Sequence, residues 1–437
     1  MRSVCIYFHI HQPFRLRTYR FFDIGDNHYY YDDFLNRSII RRVASNCYLP
    51  ANKMFLELIS KYPEFKVSFS ISGTTLEQME MYVPEVIESF QALAKSGSVE
   101  FIAETYSHSL LSLKAPEEFK RQVSLHREKI AKLFGVEPVA FRNTELIYSD
   151  AIGEMVAEMG FDIMLTEGAK HVLGWKSPDF VYCNALNPKL KLLLRNFQLS
   201  DDIAFRFSNR GWSEWPLTAE KFTGWLNAIN PKHEVVNLFM DYDAIGEYQS
   251  ADTGIFDFIE ALPGNILTHS NFTFSTPGNL AIKLRPKSAI HVPYPISWAD
   301  TERDLTAWIG NDLQDDAFET LCSIEPKVKF CKNPDLLRDW NYLQSSDHFY
   351  YMCTKWFSDG ETHKYVNPYS SPYEAYINYM NVLSDVIVRI ENECLPEETS
   401  HKLSETDKPA TDRNKTKPST KTGWNQNKTK LPDRKKK

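Results

Sequence analysis

Long apolar runs are missing from this 437-residue chain. None approaches the roughly 20 residues that span a bilayer, and the mean hydropathy is −0.41, so a transmembrane protein is excluded. The apolar stretch at 4–8 is also shorter than the core of a signal peptide. A basic surplus is missing from the body. Residues 401–437 hold 12 Lys/Arg against 4 Asp/Glu, which leaves 38 against 53 for the other 400 residues. That acidic body offers no basic stripe for nucleic acid. The seven cysteines are scattered, with no C-x-x-C pair, which suggests neither a disulfide framework nor a zinc site and points to a reduced, cytoplasmic protein. No G-x-G-x-x-G follows the first strand and no G-x-x-x-x-G-K-[ST] occurs anywhere, so nucleotide-binding folds lose support.

What is present is alternation. Short apolar strand candidates at 4–9, 65–71, 99–105, 139–143, 162–166, 190–196 and 235–241 are separated by amphipathic helical patterns such as 83–95, 116–134, 150–159 and 218–229. About seven strand–helix units imply parallel strands joined by crossover helices, closed as an α/β barrel. After Lys287 the chain reads as long helices rich in Tyr, Phe and Trp, over 308–324, 333–357 and 371–390. The expected organisation is a barrel over 1–286, a helical region over 287–396, and a disordered basic tail over 397–437 that is too poor in aliphatics to offset its ordering entropy.

In parallel α/β folds, function gathers where strands end. Strand one ends in His9-Ile10-His11-Gln12-Pro13, whose alternation aims both histidines at one face. Strand three leads from Glu100 to His108, strand four ends in Arg142-Asn143-Thr144-Glu145, and strand seven ends in Asp241-Tyr242-Asp243. Two carboxylates at the exits of separated strands suit glycoside hydrolysis. Two imidazoles and an Asp would also suit a divalent metal, as in metal-dependent deacetylases on similar barrels.

His9-Ile10-His11-Gln12-Pro13 resembles the first signature of glycoside hydrolase family 57, the α-amylase and α-glucanotransferase family. Gly97-Ser98-Val99-Glu100 resembles its second, Phe141-Arg142-Asn143-Thr144-Glu145-Leu146 its third, and Met240-Asp241-Tyr242-Asp243-Ala244-Ile245-Gly246-Glu247 its fourth. Asp304-Leu305-Thr306-Ala307-Trp308, with Asn311 and Gln314, is similar to the fifth, and Ser345-Ser346-Asp347-His348 to the helical region of α-amylase-like members. Ile245 and Tyr248 depart from the family's usual residues, which bears on subsite preference.

The resemblance implies an incomplete TIM-like (β/α)7 barrel followed by a helical bundle. It implies a retaining double displacement on α-1,4-glucans, with Glu145 as nucleophile and Asp241 as acid/base. A 4-α-glucanotransferase or branching enzyme would use the same pair. His9, His11, His108 and Asp347 are the expected sugar-binding groups, with Trp212, Trp215, Trp298 and Trp308 as aromatic platforms. Gln12, Glu100, Asn143 and Asp243 are expected to support them. No metal, cofactor, membrane or specific nucleic-acid partner is expected.

Overall fold

The computed structural model describes residues 2–355 and 367–394; the predicted tail at 397–437 lies outside them. The described strands are β1 (Arg2–Ile10), β2 (Val67–Ile71), β3 (Val99–Phe101), β4 (Ala140–Arg142), β5 (Ile163–Glu167), β6 (Tyr182–Asn184), β7 (Lys191–Arg195), β8 (Val235–Asp241), β9 (Phe272–Phe274) and β10 (Ala289–Ile290). β8, β1, β2 and β3 pair in parallel in that order, as do β4, β5 and β7. Two seams close the ring. Ala103, just past β3, bridges Phe141 of β4. Asn196, just past β7, donates its N–H to the Asn237 carbonyl of β8 at 2.9 Å. The result is the (β/α)7 barrel expected from the alternation.

Side-chain alternation sorts each strand into an inner and an outer face. In β1, Val4, Ile6 and Phe8 pack outward under the helices, while Cys5 and Tyr7 fill the barrel. In β8, Val236, Leu238 and Met240 face outward, while Val235 and Phe239 face inward. His9 and Asp241 continue the inward phase of these strands, and the strand register places them opposite each other. The inner core ends there, and a polar mouth begins.

Helices form where amphipathic spacing and caps agree. Pro116–Phe134 starts with proline at its first turn and ends at Gly135 in the left-handed region (φ 70°). Asp33–Val43 and Leu49–Lys61 fill the long connection between β1 and β2. Beyond residue 290 the helix expected over 371–390 runs Pro372–Glu393, while the two before it are shorter than expected, and positions 356–357 of the second lie outside the described residues. Asp312–Ser323 begins only after Asn311, whose side chain caps Leu313 and Gln314, so Trp308 precedes the helix. The single helix predicted over 333–357 is broken into Pro334–Leu343 and Ser346–Tyr350, because Ser345 turns extended (ψ 132°). That break lets the Ser346 N–H donate to the His108 carbonyl at 2.9 Å. Among the described residues no helix is long and apolar enough to cross a membrane.

The cysteine expectation needs correction. Cys331 and Cys394, 63 residues apart, form a disulfide. Linear spacing could not reveal it: the final helix, Pro372–Glu393, runs back along the helical region and delivers Cys394 at its end. Cys5, Cys47, Cys183, Cys322 and Cys353 are free thiols.

Candidate active site

Glu145 sits on a one-turn helix directly after β4, with φ 54° and ψ 28°; Leu146 also has positive φ (53°). Left-handed backbone at non-glycine residues is uncommon and persists where the surroundings fix it. Here the Asn143 amide does so, donating to Ser112 Oγ (2.9 Å) and to the Ile147 carbonyl (3.0 Å). Three side chains then hold the Glu145 carboxylate. Trp298 Nε1–H donates to Oε2 at 2.6 Å, while His108 Nε2 (3.0 Å) and Ser346 Oγ (3.3 Å) reach Oε1. His108 is itself at positive φ (55°).

His108 also meets Glu104 through Nδ1 at 3.3 Å. Burial opposes a charge on this ring, but its hydrogen bonds to Glu104 and Glu145 outweigh that and push its pKa up to about 9. It is therefore an imidazolium near neutral pH, with both N–H groups donated to carboxylates. Burial would raise the fully buried Glu104, yet His9 and His108 more than reverse this and hold its carboxyl well below the usual range.

Across the mouth, His9 Nδ1 lies 3.1 Å from Asp241 Oδ1. His9 Nε2 on the other side of the ring lies 3.3 Å from Arg142 Nη1 and 3.5 Å from Glu104 Oε2. Gln12 Nε2 donates to Asp243 Oδ2 at 3.2 Å, and Arg15 donates to Gln12 Oε1 at 3.0 Å. Burial, reinforced by the charge of Asp241, pushes Asp243 up to about 8, so this neighbour carries a proton at neutral pH. Gly246 makes the following turn possible: its φ is 97°, and a Cβ there would collide with the Asn46 backbone carbonyl.

His11 stacks on His108, with ring centroids 4.1 Å apart. It bonds Ser72 Oγ (2.7 Å) and Asp347 Oδ2 (2.8 Å). Burial and the neighbouring His108 charge lower His11 to about 4, so it stays neutral. One cleft is lined by His9, His11, Gln12, His108, Glu145, Asp241, Asp243, Trp298 and Asp347 together.

Four predicted residues stand elsewhere. Glu100 lies on the same strand face as Glu104 but a full four residues lower; it accepts the Gly278 N–H (2.9 Å) and serves the start of helix Pro277–Lys283. Trp308 is 1% exposed, packed in the helical core with no surface for a sugar. Trp212 lines a different groove, and exposed Trp215 pairs with Arg210, 5.7 Å from its ring. Glu104, Arg142 and Ser346 belong to the site but were not singled out by sequence. The inward phase shared by 100, 102 and 104, and by 140 and 142, is the signal that could have found the first two.

His9, Glu104 and His108 bring ligand atoms within 4.8 Å of one another, a spacing a metal could use. The donor set does not fit one. The Arg142 guanidinium stands 3.3 Å from His9 Nε2, putting a positive charge where a metal ion would have to approach, and both nitrogens of His108 are committed to carboxylates.

Residues 5–293 match the family model of glycosyl hydrolase family 57. The chain is 40% identical over 394 residues to a putative alpha-amylase of Methanocaldococcus jannaschii, covering 86% of this chain and 82% of that one. It is 23% identical to alpha-amylase 1 of Dictyoglomus thermophilum over 61% of this chain and 38% of that longer protein. Among solved structures, a family 57 branching enzyme from Thermococcus kodakaraensis superposes with a TM-score of 0.64 at 13% identity, covering 93% and 94% of the two chains. With the matched region reaching every strand of the ring, this chain belongs to glycosyl hydrolase family 57.

Proposed function

We propose that Glu145 is the nucleophile and Asp241 the acid/base of a retaining glycosidase acting on α-1,4-linked glucans. Family membership makes the chain a glycosidase. The observation that carries the residue assignment is the convergence of both carboxylates on one cleft, each held by its own histidine.

Glu145 attacks the anomeric carbon as a carboxylate, and the hydrogen bonds from His108, Trp298 and Ser346 favour that charged form. Asp241, the more exposed partner with 26% of its side chain open, takes up a proton before the first step and gives it to the departing glycosidic oxygen. It then takes one from the incoming water or sugar hydroxyl, as double displacement requires. When Glu145 leaves in the second step its charge returns, and the same three donors are already in place to receive it. His9, His11 and Asp347 offer polar atoms to sugar hydroxyls at the cleaved position. The barrel over 1–286 supplies the carboxylates in this reading, and Trp298, Ser346 and Asp347, from beyond it, complete the wall around them.

Incubation with maltoheptaose, followed by chromatography of the products, tests the reading. Only shorter oligomers mean hydrolysis. Longer and shorter ones together mean transfer, as in a 4-α-glucanotransferase or branching enzyme. No change in the sugar overturns the glucan assignment. Glu145→Gln should reduce turnover by at least about 10⁴-fold while the fold survives; near-normal turnover would remove the nucleophile assignment.

A further inference from the structure

Trp212 and Trp225 line a groove of about 640 Å³ that shares no lining residue with the carboxylate cleft. It lies along the connection from β7 to β8, beside helices Phe197–Ala204 and Ala219–Ala228. Its volume is within the range of small-ligand sites, roughly 300–1,000 Å³.

Both indoles are half-buried: each rests on the barrel's outer core and keeps part of its surface for the groove. Their ring centroids are 6.1 Å apart at 70°, so they present differently oriented apolar surfaces. Between them stand polar groups. Gln198 is exposed at the rim, and Asp202, Arg206 and Glu214 complete the wall.

The charges there are already matched. Arg206 Nε donates to Asp202 Oδ1 at 2.6 Å, and Lys221 pairs with Glu214 at 2.9 Å. Among the described residues that line the groove, every charged side chain is paired with an opposite charge, so neither an anionic nor a cationic ligand is favoured. An uncharged polyol suits the groove instead: pyranose C–H faces pack on indole, and hydroxyls exchange hydrogen bonds with the amide and the paired ions.

We infer that this groove is a second, non-catalytic binding site for a neutral linear α-glucan chain. The inference rests on the glucan reading of the cleft. Holding one part of a polymer on the barrel wall raises the local concentration of its other segments near the cleft. The benefit is therefore confined to long chains.

Isothermal titration of the Glu145→Gln protein with maltoheptaose tests this without turnover. Two binding events are expected. Adding Trp225→Ala should abolish one of them or weaken it at least tenfold. Gln198→Leu, at an exposed position, removes the groove's amide without disturbing the indole packing and should weaken the same event severalfold. In the otherwise wild-type enzyme, Trp225→Ala should lower the rate on soluble starch severalfold and leave the rate on a short chromogenic maltooligoside within twofold. A single binding event that survives both groove variants overturns the second site and leaves the cleft reading intact. No binding of maltoheptaose at all overturns both.

Discussion

His108 stands 3.0 Å from Glu145 and carries a positive charge toward it, because its other nitrogen is held by the buried carboxylate of Glu104. The pair has the character of an internal ion pair whose polarity favours an ionised Glu145. Its behaviour with pH follows directly.

The folded pKa of His108, about 9, exceeds its ordinary value of 6.5. The folded protein therefore binds this proton more tightly than the unfolded chain. The stabilisation is fully present below about pH 6.5 and is lost as pH rises through about 9, at most about 3 kcal/mol for a shift of this size. Urea titrations between pH 6 and 10 should show that decline, and His108→Gln should flatten it. The kcat of the wild type should fall over the same alkaline interval. An unchanged slope in the variant would separate the histidine from the effect.

Asp241→Ala should cripple hydrolysis of natural glucans by about 10²–10⁴-fold, the usual contribution of a general acid. Substrates with good leaving groups should suffer less in their first step, since they depart without protonation. Steady-state rates on maltoheptaose and on an aryl maltooligoside, compared side by side, give the answer. Equal losses on both would count against the acid role.

The two tryptophans after residue 290 should respond in opposite ways. Trp298→Phe removes the 2.6 Å hydrogen bond to Glu145 and should lower kcat while thermal stability changes little. Trp308→Ala empties a fully packed position and should cost about 3–5 kcal/mol of stability. Melting curves and kcat measured on both variants separate the roles.

Treatment with EDTA should leave activity unchanged, because the positive Arg142 guanidinium stands where a metal ion would approach His9 Nε2. A loss of more than half, restored by added zinc, would revive the deacetylase-like reading of the histidine cluster.

The barrel was legible because each strand is short, apolar and followed by an amphipathic helix; β8 has the bounds 235–241 that its sequence suggests. His9 and Asp241 could be placed at one mouth because both close inward-phased strands. The same alternation could not separate Glu100 from Glu104, since period two puts both on one face and is silent about depth. Nor could it show which tryptophans reach the cleft. Trp298 does so from a loop whose path is set by pairing between Ile296 and Tyr148, and Trp212 does not, though both precede polar, turn-rich segments. Ser346 was hidden inside an apparently continuous helix, and its partner, the His108 backbone, is far away in sequence.

That interruption sets the smallest working unit of the molecule. Trp298 and Ser346 ligate one carboxylate, and Asp347 holds His11, yet all three come from beyond the last strand. A fragment cut at residue 286 would keep both acids and every histidine of the cleft, but Glu145 would lose the Trp298 and Ser346 donors and His11 would lose Asp347. Such a fragment should be a carrier of reactive groups with nothing to aim them, and it would also uncover the apolar face that Phe141, Met164 and Leu192 share with Trp308 and Trp340.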